Sequence, residues 1–191
     1  MAHVAVIGTG NMGQAIAGLV TKGGNSLQVI SQNDTDTAVS ADIVVLAVPY
    51  TALAQIAAAR GEQLAGKVVV DITNPVNFET FDSLVVPADS SAAAELATLL
   101  PNSTVVKAFN TTFAGTLASG RVGDLTTTVQ IAGDDADAKA LLAGVITAAG
   151  LKAIDVGSLK RAHELEAFGF LQISLAAAEK ISWAGGYGVV S

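Results

Sequence analysis

The sequence predicts an α/β protein: a doubly wound, mostly parallel sheet in a three-layer α/β/α sandwich. Three observations predict it. Short β-branched runs alternate along the chain with longer stretches rich in Ala and Leu. The short runs are continuously apolar, which implies strands buried on both faces. Strand–helix–strand order then implies parallel pairing through right-handed crossovers.

Each element follows from its residues. His3–Ile7 is a buried strand run. Asn11–Lys22 reads as a helix stopped by Gly23 and Gly24. Leu27–Ile30 and Ile43–Ala47 are the second and third strands. The polar stretch between them is too short for a crossover helix and is expected to be an irregular loop or a single turn. Thr51–Arg60 is helical, with Gly61 after it. Val68–Ile72 is the fourth strand, and Ser90–Leu100 a helix ended by Pro101. Thr104–Ala108, Thr127–Ala132 and Lys152–Val156 complete the strands. A helix from Asp135 to Ala149 separates the last two, with Gly133-Asp134-Asp135 as its cap. A final helix is expected from Ala162 to Ser182. With no linker or repeat, residues 1–191 read as one domain.

Composition bounds the function. Of 191 residues, 51% are hydrophobic and 14% charged, against about 25% charged in an average protein. Such a chain can bury a core and is not disordered. The net charge of −7, without any Lys/Arg cluster, argues against a nucleic-acid partner. Zero Cys excludes thiol chemistry and Cys-ligated zinc. The two His, His3 and His163, have no metal-ligand spacing, so no metal is expected. Mean hydropathy is +0.52, yet the uncharged stretches are broken by Gly8, Gly10 and Gly13 or by Pro49, so no membrane span is expected. A cytoplasmic protein is the expectation.

The strongest local signal is Gly8-Thr9-Gly10-Asn11-Met12-Gly13, a GxGxxG directly after a strand and opening a helix. Gly8 permits a tight turn, Gly10 lets the backbone approach a pyrophosphate, and Gly13 lets helix and sheet pack closely. The helix N-terminus offers unpaired N–H groups to phosphates. The predicted sheet is therefore of Rossmann type. The second strand leads into Ser31-Gln32-Asn33, without the carboxylate that would hold a ribose 2′-hydroxyl. Ser31 and Gln32 can donate to a 2′-phosphate, which favours NADP over NAD, although no Arg completes a charge-assisted fork.

Ligands of such sheets bind beyond the carboxyl ends of the strands. There the sequence offers Ala47-Val48-Pro49-Tyr50, Thr73-Asn74-Pro75 and Phe109-Asn110-Thr111-Thr112. Asn74 and Asn110 could bond a nicotinamide carboxamide or ribose, and Thr111 and Thr112 an acceptor. Asp71 is expected to stabilise a turn and Lys107 to sit at a strand edge. Few titratable groups lie at these ends, so no catalytic acid or base is assigned. Hydride transfer needs positioned rings more than a protein proton donor, which suits an acceptor that is itself a redox cofactor. Reduction of a small carbonyl or imine would need a donor such as Thr111, Thr112 or Tyr50. A sensor that binds NADP(H) without chemistry is a third reading. In the last helix Leu165, Phe168, Gln172, Leu175 and Ala176 share helical spacing, with Glu164 and Glu166 outside that stripe. The segment 160–191, ending in an aromatic, glycine-rich tail, is expected to cover the sheet, close over a ring as a lid, or pack on a second copy as a homodimer.

Val6–Gly13, Ala41–Tyr50, Val68–Asp82, Val105–Thr112 and Leu159–Val190 resemble the NADP oxidoreductase, coenzyme F-420-dependent family, most nearly its small bacterial dinucleotide-binding oxidoreductases. The resemblance implies NADP at Gly8–Gly13 and hydride exchange with a deazaflavin. It implies that Thr9, Asn11 and Met12 line the cofactor, that Val48 and Pro49 flank it, and that Asn74-Pro75 lies near the nicotinamide. Membrane metalloreductases carry a similar domain that reduces flavin, so flavin is a second implied acceptor. The family usually has a basic residue after the Ser, where this chain has Gln32. The start also resembles pyrroline-5-carboxylate reductase, but strands continue to Val156 where that family would turn all-helical.

Overall fold

A computed structural model describes residues 1–31, 33–34 and 36–190. Nine strands and six α-helices follow in chain order: β1 His3–Ile7, α1 Asn11–Lys22, β2 Ser26–Ile30, β3 Ile43–Leu46, α2 Leu53–Leu64, β4 Val68–Asp71, α3 Ala92–Leu99, β5 Thr104–Ala108, α4 Ala114–Ser119, β6 Arg121–Val122, β7 Leu125–Thr126, β8 Thr128–Gly133, α5 Ala136–Ala148, β9 Lys152–Gly157 and α6 Ala162–Ala177. Short 3₁₀ turns at Tyr50–Ala52 and Leu159–Arg161 lead into α2 and α6.

Seven strands form one sheet in the order β2-β1-β3-β4-β5-β8-β9, and β6-β7 form a separate hairpin. The first five strands are mutually parallel. One apolar cluster lies under α1, α4 and α5, with Ile16, Leu117 and Leu142 against Val6, Val45 and Val106. A second lies on the opposite face, where Ile56, Leu96 and Ala162 meet Ile7, Val44 and Val69. This is the doubly wound, three-layer arrangement that the continuous apolar strands predict. Each large side chain so buried contributes about 1.5–3 kcal/mol.

The expectation of parallel pairing fails at one junction. β8 runs antiparallel to β5, with Val106 opposite Gly133 and Ala108 opposite Ile131. The chain between them holds only the six-residue α4 and the β6–β7 hairpin. A parallel crossover needs a dozen or more residues returning the chain to the other end of the sheet. Here the segment stays beside the carboxyl ends of β4 and β5 and walls off the space above them. α5 then makes an ordinary crossover, and β9 pairs parallel to β8.

Other boundaries shift for local reasons. α2 continues through Gly61 to Leu64, because Leu64 is fully buried and packing outweighs the roughly 1 kcal/mol helix penalty of glycine. α6 ends at Ala177, short of Ser182, where Glu179 adopts a positive φ of 57° and Lys180 N–H bonds back to the Leu175 carbonyl. Ser91 and Asp135 cap α3 and α5 by accepting from the Ala94 and Ala138 N–H groups. Among the described residues no helix is long and apolar enough to cross a membrane.

Candidate active site

The glycine-rich turn owes each glycine to a different contact. Gly8 has φ +118°, and a Cβ there would lie 2.1 Å from the Ala47 carbonyl oxygen. Its N–H donates to the Ile30 carbonyl at 2.8 Å, which ties the turn to the end of β2. A Cβ on Gly13 would lie 2.2 Å from the Gly8 carbonyl oxygen, so α1 can approach the sheet only without a side chain. A Cβ on Gly10 would meet nothing within 4 Å. That open space adjoins the N-terminus of α1, which has no side-chain cap. A diphosphate fits such a place by charge and by room. Gln14 Nε2 donates to the Thr9 carbonyl at 3.0 Å and braces the turn.

Ser31 is exposed at the end of β2, and the Asn33 N–H lies 3.4 Å from its Oγ. Gln32, expected beside it at the ribose, lies outside the described residues. Arg60, which the sequence reading passed over, organises the same loop from below. It is buried on α2 and donates to the carbonyls of Thr37, at 2.7 Å, and of Asp34. Gln63 accepts from the Val39 N–H and from Arg60.

A cavity of about 780 Å³ opens above the carboxyl ends of β4 and β5, next to the start of α1. Asn11 and Met12, Asn74, Asn110, Thr112 and Trp183 contribute to its wall. Among the described residues none around it is ionisable. Of the residues expected at the site, Ala47 and Val48 lie behind the glycine turn, within 3.5 Å of the positions that Cβ atoms on Gly13 and Gly8 would take. Pro49 is exposed before the 3₁₀ turn. Thr73 and Pro75 are buried beneath Asn74 in the chain's path. Thr111 is buried and is not among the residues around the cavity, so among the described residues Thr112 is the one hydroxyl-bearing residue in its wall.

Asn74 and Asn110 come together and largely bind each other. Asn74 Nδ2 donates to the Asn110 carbonyl at 2.8 Å. Asn110 Nδ2 donates to Asn74 Oδ1 and to the Leu165 carbonyl, both at 2.8 Å. Asn110 Oδ1 is buried without a partner among the described residues. Phe109 precedes it at φ 64°, a left-handed conformation rare for a bulky residue. Its carbonyl accepts from the Thr112 N–H and hydroxyl, so the strained turn brings Asn110 and Thr112 to the cavity wall. Against α6 the fit is tight: a Cβ on Gly169 would lie 2.3 Å from Asn74 Oδ1.

Two expectations about charge are overturned. Lys107 is not at a strand edge: β5 lies between β4 and β8, and the side chain is 0% exposed. Glu166 is not on the outer face of α6 but fully buried. Lys107 Nζ lies 2.8 Å from Asp71, 2.7 Å from Glu166 and 2.6 Å from the Thr73 carbonyl. Asp71 also accepts from the Thr73 N–H at 2.8 Å, which is the turn-stabilising role expected of it. Glu166 accepts from the Ala92 and Ala93 N–H groups at the start of α3. Burial pushes its carboxyl above the ordinary Glu value, opposed by Lys107 and by the Ala92 N–H. The cluster thus joins β4, β5, α3 and α6 immediately beneath the Thr73–Asn74 segment. Its only trace in the sequence is one Asp and one Lys inside apolar runs.

Tyr50 lies away from the cavity. Its hydroxyl donates to Glu95 at 2.6 Å, and that bond, with burial, pushes it up to about 12. It is a poor acid at neutral pH. His163 is half-buried, not on a solvated face as its polar neighbours suggest, with Nδ1 3.0 Å from the Ser90 carbonyl.

Residues 26–75, from β2 to Pro75, match the family described as NADP oxidoreductase, coenzyme F420-dependent. The F420-dependent NADP reductase of Methanocaldococcus jannaschii is 30% identical over 160 residues, covering 80% of this chain and 70% of that protein. The chain belongs to the NADP oxidoreductase, coenzyme F420-dependent family. Metalloreductase STEAP3 of Rattus norvegicus is 33% identical over 183 residues. That match covers 86% of this chain, which spans only 36% of the metalloreductase's length. A crystal structure of a candidate F420-dependent NADP reductase from Arthrobacter sp. fb24 superposes with a TM-score of 0.84 at 26% identity, over 100% of both chains. The family's redox cofactor suits a site with room for phosphates at Gly10 and a neutral cavity beside it.

Proposed function

We propose that residues 1–191 act as one NADP-binding unit that passes a hydride from NADPH to a planar deazaflavin or flavin. The observation that carries this is the cavity at the strand ends. It adjoins the open Gly10 turn, holds about 780 Å³, and among the described residues has no ionisable side chain in its wall. That volume lies within the range of small-molecule sites, roughly 300–1,000 Å³.

The residues divide the work by position. Gly8, Thr9, Gly10, Asn11, Met12 and Gly13 hold the diphosphate through backbone N–H groups and the α1 dipole. Ser31 meets the adenosine ribose, and NADP is preferred because β2 leads into this serine and not into a carboxylate, while the nearest acid, Asp34, is engaged by the Thr37 N–H and hydroxyl. Met12, Ile72 and the Asn74–Asn110 pair form one side of the nicotinamide's surroundings, with the Asn110 Oδ1 left to accept a carboxamide N–H. NADPH bound here would supply the hydride, and the acceptor's accompanying proton would come from solvent. The apolar wall excludes water from between the rings and holds them in contact, which is the main catalytic requirement.

Reduction of a carbonyl to an alcohol would require a proton at the developing oxyanion. Among the described residues the cavity wall offers one hydroxyl, that of Thr112, which already donates to the Phe109 carbonyl. The experiment is a comparison of NADPH oxidation by the purified protein with 5-deazariboflavin, FMN, riboflavin, cyclohexanone and 1-pyrroline. The proposal expects turnover with the tricyclic acceptors and none with the ketone. Turnover only with ketone or imine would overturn it, and tight NADPH binding without any oxidation would leave a sensor.

A further inference from the structure

Three aromatic side chains reach the cavity from separate segments: Phe78 after β4, Phe113 before α4, and Trp183 after α6. Trp183 stands out because it is both fixed and uncovered. It is 55% exposed, although its neighbours are anchored. Its ring lies 5.0 Å from that of Phe113, tilted by 57°. The next residue, Ala184, rests directly on α4: a Cβ on Gly115 would come within 3.2 Å of the Ala184 Cβ. A turn closes the segment, with the Gly185 N–H on the Ser182 carbonyl at 2.9 Å. Further on, the Tyr187 ring packs 5.0 Å from Phe168, and Gly188 sits where any side chain would strike Leu125. The tail is therefore tied down on α4, α6 and the β6–β7 hairpin, and what it presents to the cavity is the Trp183 indole.

An exposed indole held at the mouth of a neutral cavity has unsatisfied apolar area and a π face. Phe78, 60% exposed and braced edge-on by Phe81 at 5.6 Å, adds a second uncovered ring to the same cavity. Such surfaces bind flat conjugated rings by stacking. They do little for a small ketone or imine, which has no extended π face. We propose that Trp183 is the stacking platform for the acceptor ring and a specificity-determining residue for planar tricyclic acceptors. The proposal rests on the reading of this cavity as the acceptor site.

The chain has a single tryptophan, so its emission reports this position alone. The full-length protein is titrated with riboflavin, with and without NADP, and tryptophan emission is followed. In parallel, NADPH affinity is read from reduced-nicotinamide fluorescence, and acceptor KM from NADPH oxidation. Saturable quenching by riboflavin is expected. Trp183→Phe should keep acceptor KM within about twofold, whereas Trp183→Leu and Trp183→Ala should raise it about tenfold with NADPH affinity unchanged. The leucine variant separates stacking from mere apolar cover. Turnover with no quenching at saturating acceptor, or an unchanged KM in Trp183→Leu, overturns the platform. Quenching without turnover keeps the platform and sinks the hydride-transfer reading. Emission that shifts with protein concentration and not with riboflavin would assign this face to a second copy of the chain, and the platform would fall.

Discussion

Replacing Gly169 by alanine should destabilise the protein, against the usual rule for helices. Alanine in a helix interior is favoured over glycine by about 1 kcal/mol. Two exposed glycines in other helices, Gly18 in α1 and Gly144 in α5, have nothing within 4 Å of an added Cβ. Their alanine variants should gain about 0.5–1 kcal/mol. At Gly169 the added carbon would lie 2.3 Å from Asn74 Oδ1, 2.9 Å from Asn74 Cγ and 3.0 Å from the Asn110 carbonyl oxygen. Asn74 is held by two hydrogen bonds to Asn110, each 2.8 Å. Swinging it away gives up both, at about 1 kcal/mol each. Lifting α6 instead strains the Glu166 bonds to Ala92 and Ala93, and such overpacking costs about 1–3 kcal/mol. After the helix gain, Gly169→Ala should lose about 1–2 kcal/mol, and should sit roughly 2 kcal/mol below Gly144→Ala. Urea unfolding midpoints of the three variants measure this directly. If Gly169→Ala proves as stable as Gly144→Ala, the contact between α6 and the cavity floor is not as tight as described.

Lys107→Met leaves Asp71 and Glu166 buried without their cation and should cost about 3–5 kcal/mol at neutral pH. Because Glu166 is raised in the folded protein, the fold binds its proton more tightly than the unfolded chain does; stability from this group therefore grows as pH falls through its folded value toward 4.5. The variant's deficit should shrink between pH 8 and pH 5, and a deficit independent of pH would refute the assignment. Gly10→Ala should fold normally, since its φ of −71° and empty surroundings accept a methyl group. It should weaken NADPH binding at least tenfold, or about 1.4 kcal/mol; unchanged affinity in calorimetry would remove the diphosphate from this turn. Arg60→Met releases the carbonyls of Asp34 and Thr37, and about 2 kcal/mol should be lost. Amide exchange at Val39 should quicken relative to the β1 core, and equal protection would show that the loop stands without the guanidinium.

The sequence by itself determined the sheet's first half and the glycine turn. Both are local: continuous apolar runs of four or five residues can only be strands buried on two faces, and the three glycines follow β1 at fixed spacing. Asp135 as a helix cap was legible for the same reason, since the cap acts on an N–H three residues away. What lay beyond reach depended on which distant segments meet. The run Thr104–Ala108 carries a lysine that reads as an edge residue until β8 closes the sheet on its far side. Glu166 reads as solvated until α6 lies across the start of α3, where its carboxylate finds two free N–H groups and Lys107. The antiparallel turn-back at β8 was hidden because no pattern within residues 109–127 states at which end of the sheet the chain resumes. Tertiary structure decided that, and with it the cavity, since the segment that fails to cross over becomes the wall against which the tail lays Trp183. Periodicity encodes which face of an element is apolar, whereas a buried charge or a cavity wall exists only when segments far apart in sequence are brought together, and that information resides in no one of them.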